Sequence, residues 1–507
     1  MARCPYHDDT VPSLSITLED GKFRCFACPA TGSFVQLYAK VKGVSEEEAQ
    51  DIVTPIPAHV SQLNQRHAVV SSLTGKALIL NEDYDAMGTY LGVSFSSTRD
   101  LDLRYKNQRI RYARRTRSIA EDWLEHPKRR QYERIIFEPG APQEPGSFNL
   151  WKGFAVEPEQ GDCEPYLELL YETTCRQDQP SYDYFIAWQA DAIQNPRSKP
   201  GVAVVLRGRQ GTGKSFVCKE FGKLFGPHFI TLSQPRHLTG NFNMLLKDKL
   251  VVLAEEAFWA GDKVAEGVLK DLITGDRMNL EPKGKESFSV NNYIRVLICS
   301  NHDWVIPAGR DERRFLVLDV GDRHHQDHPF FAKHTKWMNE EGGREAWLYF
   351  LQHYDLSKVN LRDVPHTQAL QENKMDSGSP AEKFIFEALV KGRWSRLHEG
   401  WRQVVACHEV HTAYIEHAMR GGHNRKSTET ELGRAIHRLL PGVVDREIRC
   451  EGQRLHAWEF PDLETCRKDF DIGTKWDNHH WPPPETTPVI ELSASEIRML
   501  LPEGVHG

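Results

Sequence analysis

Apolar and polar positions change rhythm several times along this chain, and each change predicts a different element. "SLSITLEDGKFRCFAC" alternates with a period of two on both sides of Asp20-Gly21, the pattern of a hairpin. "SFVQLYAKVKG" then spaces its apolar residues as one face of a helix. "TPIPAHV" breaks that pattern, "GKALILN" predicts a strand, and proline and glycine interrupt again in "QNPRSKPG". Beyond it stand three continuous apolar runs, "VAVVLRG", "KLVVLAEE" and "IRVLICSN", separated by helical stretches. Strands apolar on both faces belong in a parallel sheet covered on both sides. "MDSGSPAEK" predicts a linker, and after it "CHEVHTAYIEHAM", a Gly-Gly turn, "TETELGRAIHRLL" and the alternating "DREIRCEGQRLHAWEF" form a helix, turn, helix and wing pattern. The expected regions are residues 1–55, 56–195, 196–375 and 376–507 of a multidomain α/β protein.

The 507 residues carry a net charge of -7, so any nucleic-acid contact must come from local basic patches. Ten cysteines without a disulfide-scaffold rhythm favour a reducing compartment. No apolar run reaches the ~18 residues of a membrane span, so a cytoplasmic protein with no membrane partner is expected.

"GRQGTGKS" fits the phosphate-binding loop pattern and sits between a predicted strand and a predicted helix. The backbone of Gly208, Arg209, Gln210, Gly211, Thr212 and Gly213 is expected to wrap the phosphates of ATP, with Lys214 reaching the β- and γ-phosphates and Ser215 offering its hydroxyl to Mg²⁺. "LVVLAEEAFW" places Glu255 and Glu256 at a strand's carboxyl end, one to hold Mg²⁺ and one to orient the attacking water. Asn301 ends the third apolar strand, where its amide can meet the γ-phosphate. "GRDERRF" supplies Arg310, Arg313 and Arg314, one of which can act on a neighbouring subunit's ATP; such head-to-tail contacts close into rings.

Four ordered stretches, "GRQGTGKS", "LVVLAEEAFW", "LKDLITGDRMNLEPKGKESFSVNN" and "RVLICSN", resemble the superfamily 3 helicases, AAA+ ring motors of viruses and plasmids. The resemblance implies a hexameric ring with single-stranded DNA in its channel, gripped by a hairpin carrying Lys283 and Lys285, and favours Arg314 over Arg313 as the trans finger. From "HPKRRQYERIIFEPG" to "NHDWVIPAGRDERRF" the chain more closely resembles the helicase portion of phage and prophage primase-helicases.

Cys4, His7, Cys25 and Cys28 form two close pairs across a hairpin-length insertion, a ligand set for Zn²⁺. "CPYHDDTVPSLSI" with "FRCFACPATGSFVQLYAKVKGVSEEEAQ" resembles the zinc ribbon of bacterial and phage primases, which contacts template DNA. A primase ribbon should precede an acidic polymerase core, yet Asp83-x-Asp85 is the one faint trace of it and reads better as a surface turn. The stretch Arg104, Lys106, Arg109, Arg111, Arg114, Arg115 and Arg117, with Tyr105 and Tyr112, suits either a single-strand track or a solvated helix face.

The expected function is an ATP-dependent replicative helicase with a DNA-binding ribbon. Two alternatives stand beside it: a primase-helicase with a cryptic primer-synthesis site at Asp83 and Asp85, and a DNA-bound ATPase switch that recruits a separate primase or polymerase.

Overall fold

A computed structural model describes residues 2–17, 21–53, 56–71, 76–112, 115–234, 243–255, 263–281, 287–302, 312–421, 426–450, 453–474, 476 and 481–483. The class is mixed α/β, and the chain divides into two compact units, residues 1–136 with 143–150 and residues 137–142 with 151–507. Among the described residues no helix is long and apolar enough to cross a membrane.

The first unit opens with β1 (Leu14–Thr17) paired antiparallel to β2 (Lys22–Cys25), and β2 to β3 (Thr31–Ser33). Gly21 turns the hairpin at a φ of +62°, where a Cβ would be strained. Helix α1 (Phe34–Lys42) starts on a capping box in which Ser33 and Gln36 satisfy each other's backbone N–H, and stops at Gly43 in the left-handed conformation. After α2 (Glu46–Val53) and α3 (Ala58–Arg66) come β4 (His67–Ser71), β5 (Ala77–Tyr84), β6 (Tyr90–Ser96), α4 (Thr98–Tyr105), β7 (Arg109–Arg111), β8 (Thr116–Ser118), α5 (Ile119–Glu125), β9 (Gln131–Tyr132) and the parallel pair β10 (Arg134–Ile136) and β11 (Ser147–Asn149). Strands β6-β5-β4-β9 form one sheet, whose core includes Val60, Leu63, Ile79, Leu101 and the fully buried Trp123. The basic stretch is therefore not a helix face: it is the end of α4 followed by the separate β7–β8 ribbon.

The second unit is built on a five-stranded parallel sheet. Its strands are β12 (Ala203–Arg207), β13 (Phe229–Leu232), β14 (Val251–Glu255), β17 (Arg295–Ser300) and β18 (Phe315–Asp319), in the order β13-β14-β17-β12-β18. The period-two geometry splits their side chains between two cores: Val204, Leu206, Val251 and Leu253 on one face, Ala203, Val205, Val252 and Ala254 on the other. After the short α6 (Glu164–Glu168), helices α7 (Gln179–Gln194) and α8 (Lys214–Lys223) cover the first face and α9 (Lys263–Thr274) the second, and β15 (Arg277–Leu280) pairs antiparallel with β16 (Phe288–Asn291). "QNPRSKPG", read from the sequence as a boundary, is a turn within the first core: Trp188 Nε1 reaches across it to the Val202 carbonyl at 2.9 Å, and the buried Arg295 donates to the Asn195 carbonyl at 3.1 Å and to Asp191 Oδ2 at 2.7 Å.

Further along, α10 (His328–Glu340), α11 (Gly343–His353) and α12 (Gln368–Asp376) lead to α13 (Pro380–Lys391). Then β19 (Val404–Ala406), α14 (Cys407–Arg420), α15 (Glu429–Leu439), β20 (Val444–Cys450), β21 (Gln453–Glu459) and α16 (Leu463–Thr474) enclose a core that includes Ile385, Trp394, Tyr414, Ile436 and Phe470, with strand order β19-β21-β20. The two helices and the hairpin expected from the sequence lie here.

Candidate metal centre and phosphate-loop cleft

The donor atoms of Cys4, His7, Cys25 and Cys28 all lie within 4.8 Å of one another. The sulfurs of Cys4 and Cys28 are 3.8 Å apart, the edge expected of a tetrahedron with Zn–S bonds of about 2.3 Å. The fold brings them there because β2 ends on Cys25 and the turn after it carries Cys28, whose N–H, like that of Ala27, lies 3.3 Å from the Cys25 sulfur. Burial raises the Cys25 thiol, but the Ser13 hydroxyl at 3.2 Å and those two N–H groups outweigh it and hold the thiol down at about 6.

Asp9 ties the two halves together. Its Oδ2 accepts the N–H of Cys4 at 2.6 Å and both the N–H and the hydroxyl of Ser13 at 3.2 and 2.8 Å, and these contacts, the Cys4 N–H first, hold its carboxyl below the usual range. Its other oxygen lies 3.6 Å from His7 Nε2. His7 Nδ1 is buried with no hydrogen-bond partner among the described residues, so it is the nitrogen left for the metal, with Asp9 behind the ring. The residues fit zinc, and nearby Arg24 lies 6.0 Å from the ring centre of the exposed Phe26.

In the second unit all five strands point their carboxyl ends to one edge, where ligands bind in such sheets. Gly208, Gly211 and Gly213 carry φ values of +141°, +85° and +93° and lead from β12 into α8. A Cβ on Gly213 would sit 2.5 Å from the Phe331 ring, so glycine is required for space as well as conformation. Lys214 is buried and folds back on its own loop, donating to the carbonyls of Gly208 at 2.7 Å and Arg209 at 2.6 Å. β17 lies between β12 and β14 in register with both, Ser300 opposite Arg207 and Cys299 opposite Glu255. The loop, Glu255 and Asn301 therefore line one cleft of about 510 Å³. Glu255 is held by Lys219 Nζ at 3.0 Å.

Other expected residues fall elsewhere. Glu256, Lys283, Lys285, Arg310 and Arg114 lie outside the described residues. Arg313 and Arg314 precede β18, whose first residue is in register with the first of β12, so they stand at the opposite edge of the sheet from the loop. Five residues of strand separate them from it, about 16 Å. Arg314 Nη1 instead meets Glu312 at 3.2 Å. Asp85 is a turn residue: its Oδ1 accepts the N–H groups of Met87 at 2.9 Å and Thr89 at 2.8 Å between β5 and β6. Among the described residues, the ribbon quartet is the one cluster of three or more metal-type ligands.

Residues 1–68 match the CHC2 zinc finger. The chain thus carries a primase-type zinc ribbon at its N-terminus. Residues 206–314 match a family of unknown function (DUF5906). A DNA primase-polymerase of Nitratiruptor phage NrS-1 is 26% identical over 171 residues, a match that takes in 33% of this chain and 23% of that protein, so less than a quarter of the relative is represented. Two solved structures share the fold: the apo structure of NrS-1 C terminal region (305-718), with a TM-score of 0.55, 18% identity and coverage of 80% of this chain and 98% of that one, and the A form apo structure of NrS-1 C terminal region-CTR, with 0.55, 19% and the same coverage.

The sequence reading missed the far wall of the cleft. Gln326, His328 and Phe331 line it together with Ser233 and Ser300. Gln326 adopts a φ of +56° and donates its N–H to the Gly211 carbonyl at 2.9 Å. The available signal was the polar and aromatic run "GDRHHQDHPFF" directly after an apolar strand. Its place over the loop follows from β18 lying beside β12, which no local pattern records.

Proposed function

We propose that this chain is a DNA-replication protein of primase-helicase type, in which the zinc ribbon reads template DNA and the second unit is an ATP-hydrolysing AAA+ motor of superfamily 3 kind. The observation that carries the motor reading is the single cleft shared by the glycine-rich loop, Glu255 and Asn301. The similarity to a phage primase-polymerase favours a priming role over a helicase alone, while Asp85, engaged with its own turn, offers little support for a primer-synthesis site at that position.

The proposed domains are the ribbon at 1–55, an adaptor at 56–195 whose last helix, α7, packs into the motor's core, the motor at 196–375 and a winged-helix region at 376–507, the last supported by α14, α15 and the β20–β21 hairpin. Lys214 leaves the Gly208 and Arg209 carbonyls to meet the β- and γ-phosphates. Mg²⁺, held by Ser215 and by Glu255 directly or through water, would neutralise phosphate charge when bound. Asn301 reports on the γ-phosphate. Arg313 and Arg314, at the far edge of the sheet from the loop of their own chain, would act on a neighbour's site in a head-to-tail ring, here proposed as a hexamer with single-stranded DNA in its channel. A phage-type replication protein of this kind would work in the host cytoplasm, alone or with a separate polymerase.

The test is ATP hydrolysis, strand separation and template-dependent oligonucleotide synthesis by the full chain. Lys214→Ala is expected to abolish the first two. Unwinding that survives Lys214→Ala would refute the motor, and hydrolysis without unwinding by the assembled protein would favour the recruiting switch. Oligonucleotide synthesis lost in Asp85→Ala would place the polymerase site where we do not.

A further inference from the structure

The basic stretch from Arg104 to Arg117 takes no part in the metal centre or in the cleft. Helix α4 ends at Tyr105, and the chain then forms the two-stranded ribbon β7–β8, with Ile110 opposite Arg117. Isolated two-stranded ribbons are marginal in water, yet this one is anchored at its base. Ile110 packs against the core that holds Trp123, the Ile119 N–H reaches the Gln108 carbonyl at 2.9 Å, and the Tyr112 N–H reaches the Arg115 carbonyl at 2.8 Å.

Its described cations fall into two groups. Lys106 pairs with Asp102 at 2.9 Å, and Arg117 pairs with Glu125. Arg104, Arg109, Arg111 and Arg115 are exposed and form no direct ion pair among the described residues, although the Arg109 charge helps to hold the nearby Asp102 carboxyl down. Arg109 instead braces its guanidinium on the Thr116 carbonyl at 3.1 Å. Arg109 and Arg111, two apart on β7, project from the same face of the ribbon, opposite to Ile110.

Tyr112 supplies the second observation. Its hydroxyl donates to Asp122 Oδ1 at 2.6 Å, and Asp122 is itself held by His59 Nε2 at 2.8 Å, while the tyrosine remains 44% exposed. An aromatic ring fixed at its hydroxyl and partly open to solvent, on the same ribbon as exposed arginines, offers a face on which a base can stack.

We propose that the β7–β8 ribbon, with the end of α4, binds single-stranded DNA, with Arg104, Arg109, Arg111 and Arg115 on phosphates and Tyr112 stacked on a base. The exposed ring selects the single strand over the duplex, whose base faces are already stacked on one another. The proposal is independent of the nucleotide cleft and rests on the replication reading only for the choice of DNA.

The test uses the full zinc-loaded chain without nucleotide, a labelled 20-residue oligo-dT and a 20-base-pair duplex, and fluorescence anisotropy across a salt series. Arg109→Ala with Arg111→Ala is expected to weaken oligo-dT binding about tenfold or more and to flatten the salt slope by about 1.4, the loss of two single-strand phosphate contacts. Lysine at both positions should keep the slope. Tyr112→Ala should weaken oligo-dT by about fivefold or more and leave the duplex unchanged, and Tyr112→Phe should stay near wild type. Wild-type affinity and slope in the double alanine variant would overturn the proposal. So would equal losses on oligo-dT and duplex with Tyr112→Ala silent, or a double lysine variant as weak as the alanine one. Zinc content and melting temperature establish that each variant is folded.

Discussion

The zinc ribbon and the glycine-loop cleft solve the same problem, holding polar groups at fixed positions, by opposite means. The ribbon has a core of five buried residues, two of which, Cys4 and Cys25, are themselves ligands. Its donors converge because turns and N–H contacts aim them, and the ion supplies the remaining cohesion. The cleft has apolar layers on both faces of a parallel sheet, so its backbone is in place before any ligand arrives. A site can therefore be stabilised by what it binds or by what surrounds it, and the two respond to different perturbations.

Removing zinc is the largest test of this contrast. A strong chelator, or Cys25→Ser, should abolish amide protection over residues 2–53 and leave the strands of the sheet protected, since a structural zinc contributes on the order of 10 kcal/mol. Hydrogen exchange reads both at once, and loss of protection in the sheet would break the comparison. The reciprocal perturbation is Arg295→Leu. It leaves Asp191 and the carbonyls of Asn195 and Ser198 without their buried partner, and should cost the second unit about 3–5 kcal/mol in denaturant unfolding with zinc stoichiometry unchanged.

Acid should separate the units in a third way. His228 is buried, lies 2.8 Å from the Asp248 carbonyl through Nδ1, and accepts the Lys152 N–H at 3.1 Å through Nε2. Burial, only partly offset by the Asp248 carbonyl, lowers it to about 4. Below its ordinary value the unfolded chain takes a proton that the folded one refuses, so stability present above about pH 6.5 is lost as pH falls toward 4, up to about 3 kcal/mol. Unfolding of the second unit measured against pH should show this slope, and His228→Gln should remove it. The smallest effect belongs to the ribbon's helix start. Ser33→Ala removes one half of a capping box and should cost about 1 kcal/mol, visible as faster exchange at the beginning of α1 with zinc still bound.

Much of both sites was legible because their signals are local. Two ligand pairs with a hairpin between them, and a glycine-rich loop between an apolar strand and a helix, describe their own geometry. The basic stretch was not legible: its composition suits a helix or a ribbon equally, and Ile110 settling on the core of the first unit is a tertiary event. The proline-rich "QNPRSKPG" misled for a related reason, since its proline and glycine mark a turn without saying whether one core or two lie on either side.

Residue types and spacing alone determined the zinc ligands, the glycine-rich turn from strand to helix, the buried strands and the C-terminal helices and hairpin, because each depends on neighbours within one turn or one strand. Tertiary structure alone decided that β17 separates the loop strand from the acidic strand, that Gln326 and Phe331 close the cleft, that Arg313 and Arg314 stand at the far edge, and that His7 presents Nδ1. Those facts depend on which strands pair and which side chains meet across long separations, where burial and sheet register choose among arrangements that local propensity leaves equal.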